Sequence, residues 1–159
     1  MNENRTIALL HGCNLNLLGE RDPEQYGEKK LGELEREFVN AARRGGISCI
    51  TFQTNHEGEL IEKIHELRKR VDGMVINPGA WTHYSYALHD ALEMVAAPVV
   101  EVHLSDVANR KEEWRRHSVI SDVCDLTISG KGMEGYMEAL AWLTQRFGTG
   151  KADPSLRSG

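Results

Sequence analysis

The sequence predicts a three-layer α/β sandwich built on a five-stranded parallel sheet in the order 2-1-3-4-5. Three observations lead there. Five short apolar, β-branched-rich runs alternate with amphipathic stretches along the chain, the pattern of repeated β-α units. The runs are mostly continuous rather than alternating, as in strands buried on both faces. Right-handed crossovers between such strands then put helices on both faces of the sheet. With 159 residues, 40% hydrophobic and 27% charged, the chain fits one soluble domain with a core of its own. That domain is expected over residues 1–147. The tail Gly148–Gly159, rich in Gly, Ser and charge, reads as disordered.

The strands are expected at Thr6–Leu10, Ile47–Gln53, Gly73–Ile76, Pro98–Val102 and Asp125–Ile128. Between them, Leu31, Leu34, Phe38 and Ala41 form one helical stripe, stopped by Gly45-Gly46. Leu60, Ile64, Leu67 and Val71 form a second. Leu88, Leu92 and Val95 form a third, ended before Pro98, and Tyr136, Leu140, Leu143 and Phe147 form the last. A short helix is expected over Lys111–His117.

Charge and cysteine content narrow the function classes. A net charge of -5 argues against nucleic acid as the main partner, because phosphate binding favours a basic face. It leaves room for a local basic pocket, and Lys111, Arg115 and Arg116 are candidates to build one. Cys13, Cys49 and Cys124 are widely spaced and form no CxxC pair, so a zinc site is not expected. Cys49 reads as a core thiol, and a reducing cytoplasm is the natural compartment. The polar N-terminus Met1-Asn2-Glu3-Asn4-Arg5 does not look like a signal peptide, and no apolar run approaches membrane-spanning length.

Four polar segments follow strand ends, where open α/β sheets bind ligands. The first runs from His11 to Gly27. Gly19 and Gly27 bracket a segment holding Arg21 and Tyr26 that could move as a lid. A guanidinium beside a phenol favours the phenolate, so the pair suits a general base for a carbon acid; the alternative is a solvated loop with a partly packed tyrosine. The second, Gln53 to Leu60, turns from strand to helix with Thr54 or Asn55 as N-cap. His56 and His65 lack the i, i+4 spacing of a helical zinc pair. The third, Asn77 to Ser85, can turn Asn77 and His83 into the crevice or serve as a helix cap, with Asp90 on the following helix. In the fourth, strand alternation puts Glu101, His103 and Ser105 on one face. A carboxylate there fixes the tautomer of His103 and raises its basicity, as a general acid requires. No phosphate-loop pattern surrounds Gly130-Lys131-Gly132.

Together these segments resemble the type II 3-dehydroquinate dehydratases. The family pattern Asn-Leu-Asn-x-Leu-Gly-x-Arg-x-Pro-x-x-Tyr-Gly is met by Asn14 to Gly27, and Asn-His-Glu-Gly-Glu-Leu by Asn55 to Leu60. Asn77-Pro-Gly-Ala, Thr82-His83, Glu101-Val-His-Leu-Ser105 and Gly135-Tyr136 also match. The resemblance spans Thr6 to Phe147 and implies a flavodoxin-like fold. It implies trimers, usually four of them in a dodecamer, and a trans elimination of water from 3-dehydroquinate through an enolate. It further implies a cytoplasmic shikimate-pathway enzyme that needs no metal or cofactor and has neither nucleic acid nor membrane as a partner.

By that likeness Tyr26 is the base, Arg21 supports it, and Asn14 holds a water that stabilises the enolate. His103, oriented by Glu101, protonates the leaving hydroxyl. Asn77, His83 and Arg115 bind substrate hydroxyls, Ser105 and the Leu104 amide take the carboxylate, and Asp90 acts from an adjacent subunit. Some positions depart from the family. His11 and Cys13 stand where Asn and Pro are common, and His89 where Arg is frequent. Asp106 replaces Asn, so a weaker anion site is expected. The stretch from Asp106 to Arg115 is one residue longer, leaving either Arg110 or Lys111 as the second lid cation. Two rival readings remain: enolate chemistry on another cyclic hydroxy acid, and a non-catalytic flavin-binding module.

Overall fold

The computed structural model describes residues 4–147, so the expectation for the tail lies outside the described residues. Five parallel strands form one sheet: β1 Arg5–His11, β2 Ile47–Gln53, β3 Gly73–Asn77, β4 Val99–His103 and β5 Leu126–Ser129, in the order β2-β1-β3-β4-β5. The helices are α1 Pro23–Tyr26, α2 Leu31–Arg44, α3 Glu57–Leu67, α4 Tyr86–Glu93 and α5 Met133–Phe147. The fold is the flavodoxin-like sandwich. Among the described residues no helix is long and apolar enough to cross a membrane.

Strand alternation divides the core in two. Ile7, Leu9, Val75, Val100 and Val102 face α2 and α5, where Phe38, Tyr136 and Leu143 close the layer. Ala8, Leu10, Met74, Ile76 and Val99 face α3 and α4, against Leu60, Ile64, Leu88 and Leu92. At the usual ~25 cal/mol per Å² of apolar surface, burying each large side chain here contributes about 1.5–3 kcal/mol.

Burial on both faces holds for β1, β3 and β4 but not for the two edges. In β2 most residues after Ile47 are exposed or half-buried, and in β5 only Ile128 is buried. Each edge strand has a neighbour on one side only, which leaves its outer margin open. Cys49 is accordingly half-buried rather than a core thiol. Partial burial pushes that thiol up to about 11, against the opposing pull of the Arg43 charge. Val71 and Val95 are buried as expected but lie beyond the ends of α3 and α4. Instead of a helix over Lys111–His117 there is one 3-10 turn, Glu113–Arg116.

The strand order reverses between β1 and β3, and this opens a crevice at their carboxyl ends. There the two departing loops touch backbone to backbone. The Gly12 N–H donates to the Asn77 carbonyl at 2.8 Å. A Cβ at Gly12 would lie 2.2 Å from the Pro78 oxygen, and one at Gly79 (φ +65°) would lie 2.7 Å from the Cys13 oxygen. Beneath this junction sits His11, fully buried, with Nε2 3.0 Å from the Tyr136 hydroxyl. Burial lowers the His11 imidazole to about 3.

Gly12→Ala is expected to force the two loops apart, costing about 1–3 kcal/mol of stability along with most activity, read by thermal unfolding and turnover. His11 also sets a pH dependence. Unfolded, it takes a proton near its ordinary value of about 6.5; folded, it stays neutral down to about 3. Between these limits the unfolded chain binds more protons, so stability falls as pH falls. His11→Gln removes this contribution, and its Tm is expected to drop less than the parent's between about pH 6.5 and 4. Equal drops in both proteins would contradict the assignment.

Candidate active site

The loops after β1, β3 and β4 converge on one cleft. Asn14, Arg21 and Tyr26 enter from the first, Asn77 and His83 from the second, His103, Leu104 and Ser105 from the third. Arg110 and Arg115 come from the irregular chain that follows β4.

In the first loop Asp22 caps α1, accepting from the Glu24 N–H at 3.1 Å, and Pro23 opens the helix. This single turn holds Tyr26 against two cations. Arg21 donates to the Tyr26 hydroxyl oxygen at 3.0 Å and Arg110 donates at 3.2 Å. The Arg21 guanidinium also lies 3.9 Å from the ring centroid. Two charged donors on one phenol oxygen stabilise negative charge there. Arg110 reaches on to the Ser105 hydroxyl at 3.3 Å.

Asn14 has φ 68°, making it the one non-glycine residue with positive φ among those described. Asparagine tolerates that left-handed geometry better than most residues. The strand β2 end supports it: the Asn55 side-chain oxygen accepts from the Asn14 N–H at 2.7 Å, and Gln53 donates to the Gly12 carbonyl at 3.2 Å. Asn55 therefore braces the first loop and does not cap α3. Nor does Thr54: His56 occupies the N-cap position, while the Thr54 hydroxyl accepts from the His56 N–H at 3.0 Å and donates to Glu59 at 2.6 Å.

Glu101 is fully buried at the root of the fourth segment. Its Oε2 lies 2.5 Å from His103 Nε2 and accepts from Thr82 at 2.5 Å and from Ser118 at 2.8 Å. Thr127 donates to Oε1 at 3.4 Å. Burial alone would raise the carboxyl, but the bonds from His103, Thr82 and Ser118 outweigh it and hold Glu101 below the usual carboxylate range. A buried carboxylate of this kind accepts from His103 Nε2 and so orients the ring.

His83 Nδ1 donates to the His117 carbonyl at 2.7 Å, and its ring meets Trp114 edge-on. Burial, with the nearby His103 and Arg115 charges, lowers its pKa despite that hydrogen bond. A neutral ring bonded this way offers Nε2 as an acceptor. Arg115 stacks on Trp114, 4.2 Å from the ring centroid. Its Nε lies 3.3 Å from a Glu112 carboxylate oxygen, and its guanidinium lines the cleft. Asn77 donates to the Tyr136 hydroxyl at 3.0 Å and accepts from the Gly79 N–H at 3.1 Å.

Several expectations need correction. Of the proposed basic pocket, only Arg115 reaches the cleft; Arg116 is spent on the Arg110 and Lys111 carbonyls. Arg110, not Lys111, faces Tyr26. Asp106 does not line the cleft; it is exposed and accepts from Asn109. Asp90 is exposed on α4 and pairs with His89 at 2.9 Å, away from its own chain's cleft. The bracing roles of Gln53, Asn55, Thr82, Ser118 and Thr127 were not read from the sequence. For Asn55 and Thr82 the motif match was the available signal; Ser118 lies in a stretch without periodicity and offered none.

Comparison with known proteins agrees with this geometry. Residues 5–144 match the family Dehydroquinase class II. A protein of Bacillus pumilus named 3-dehydroquinate dehydratase is 49% identical over 142 residues, covering 89% of this chain and 96% of that one. A 3-dehydroquinate dehydratase 2 of Pseudomonas aeruginosa is 50% identical over 143 residues, covering 90% and 96%. The crystal structure of type II dehydroquinase from Butyrivibrio crossotus superposes with a TM-score of 0.85 at 42% identity, covering 88% of this chain and 97% of that one. With its sheet order, its cleft at the β1–β3 switch point and these likenesses over nearly its whole length, the chain belongs to the class II dehydroquinase family.

Proposed function

We propose that this chain is a 3-dehydroquinate dehydratase that removes water in a trans elimination through an enolate, giving 3-dehydroshikimate in the shikimate pathway. The observation that carries the reading is the Tyr26 hydroxyl held between Arg21 and Arg110 in the same cleft as a His103–Glu101 pair. One group is built to hold negative charge and take a proton; the other is built to give one.

In this scheme the Tyr26 phenolate abstracts the proton beside the ketone. The electron pair moves onto the carbonyl oxygen, and Asn14, through a water, stabilises the enolate as an oxyanion hole does. Collapse of the enolate expels the hydroxyl, which His103 protonates while Glu101 balances the imidazolium. Asn77, His83 and Arg115 hold substrate hydroxyls, and Ser105 with the Leu104 amide holds the carboxylate, beside the charge of Arg110. No step requires a metal or cofactor. The assembly is a dodecamer of four trimers, in which Asp90 reaches a neighbour's cleft, and the enzyme works in the cytoplasm.

Dehydration creates a conjugated enone, so mixing the protein with 3-dehydroquinate is expected to raise ultraviolet absorbance. In Tyr26→Phe the rise should slow by about 10²-fold or more with circular dichroism unchanged; near-normal turnover would rule out the base. Arg110→Met is expected to lower kcat/KM by about tenfold or more, the scale of a lost charge-assisted hydrogen bond. Lys111→Met should remain close to the parent, and the reverse order of effects would move the lid role to Lys111.

A further inference from the structure

Three buried polar side chains meet beneath the cleft floor, and the reaction scheme uses only one of them. His11 and Asn77 are register partners at the carboxyl ends of β1 and β3. Both approach Tyr136 on the first turn of α5: His11 Nε2 is 3.0 Å from its hydroxyl and Asn77 Nδ2 is 3.0 Å away. The His11 and Tyr136 rings stack at 5.6 Å, and both residues are fully buried.

One arrangement leaves the fewest of these donors and acceptors unpaired. Asn77 Oδ1 accepts from the Gly79 N–H at 3.1 Å, so the amide nitrogen must face Tyr136. An amide nitrogen only donates, so the phenol oxygen accepts from Asn77. The phenol proton then goes to His11 Nε2, which must be unprotonated. The imidazole proton is left on Nδ1, which is buried without a hydrogen-bond partner. Buried polar groups are rarely left unpaired. Here the orphan N–H follows from a chain of bonds that runs in one direction, from Asn77 through Tyr136 to His11.

We propose that His11 and Tyr136 are positioning residues for substrate binding: they lock the Asn77 amide in one orientation, leaving its second Nδ2 proton as the donor for a substrate hydroxyl. Without the phenol, Nδ2 loses the partner that holds it. Without an acceptor at residue 11, the phenol proton has nowhere to point but back toward Asn77, against the amide protons. The last step, to the substrate, rests on the dehydratase reading above; the direction of the proton chain does not.

The test has two arms. Tyr136→Phe and His11→Leu are expected to raise KM for 3-dehydroquinate about five- to tenfold, the worth of one hydrogen bond, with kcat far less changed. His11→Gln should restore near-parental KM, because its side-chain oxygen can accept where Nε2 stood. In an Asn77→Ala background the Tyr136→Phe effect on KM should vanish, as residues acting through one another are non-additive. The same factor in both backgrounds, or an unchanged KM in Tyr136→Phe, would overturn the proposal. Neutron diffraction of the parent protein reads the proton chain without turnover. Deuterium on His11 Nδ1, with the Tyr136 deuteron aimed at Nε2, is the expected result; deuterium on Nε2 overturns the proposal even if the enzyme is active. A parent with no turnover but the expected deuterons would instead remove the dehydratase reading and leave the lock standing.

Discussion

The site depends on one close approach, that of the Gly12 backbone to Pro78 at the point where the sheet reverses direction. Two loops leaving adjacent parallel strands diverge unless something draws them together. Here the Gly12 N–H bonds to the Asn77 carbonyl, and the missing side chains at positions 12 and 79 let the main chains meet. The first loop brings Asn14, Arg21 and Tyr26; the second brings Asn77 and His83. Their spacing across the cleft is therefore set by backbone contact, which is stiffer than any contact between side chains. The cross-link from Asn55 to the Asn14 N–H holds the first loop from its other side.

Glu101 organises the opposite wall. A charge removed wholly from water is tolerated only when its hydrogen-bonding capacity is filled. Glu101 fills it from four directions: Thr82 after β3, His103 on its own strand, Ser118 from the irregular chain, and Thr127 on β5. The carboxylate that serves His103 thus also ties down the 3-10 turn that carries Thr82 and the irregular chain around Ser118. Chemistry and local stability share one group, and altering Glu101 would disturb both.

The central strands and both helical layers were legible because their apolar periods follow from burial. The edges were harder to read. Ile47 to Gln53 looks apolar enough for an interior strand, yet its place at the margin leaves residues such as Ile50 exposed, and strand order is a long-range fact. The polar groups split in the same way. Tyr26, Arg21, His103 and Glu101 sit in short segments whose spacing brings them to one place. The choice between Arg110 and Lys111 could not be made along the chain, because residues 104–125 have no period to orient them. Asn55 looked like a cap because it precedes a helix; what claims its oxygen is a backbone N–H 41 residues earlier in the sequence.

The three guanidinium groups lining the cleft have a consequence for encounter. The whole chain carries a formal charge of -5, so at long range it repels an anionic metabolite. Ions screen that repulsion beyond about 8–10 Å, and inside this distance Arg21, Arg110 and Arg115 dominate. An anion that drifts close then meets guanidinium donors beside the phenol oxygen rather than the acidic surface. Within the chain Glu112 offsets Arg115 at 3.3 Å, while Arg21 and Arg110 share the Tyr26 phenol oxygen. Arg21 and Arg110 thus keep positive charge at the mouth of the cleft that a carboxylate-bearing visitor would neutralise on entry.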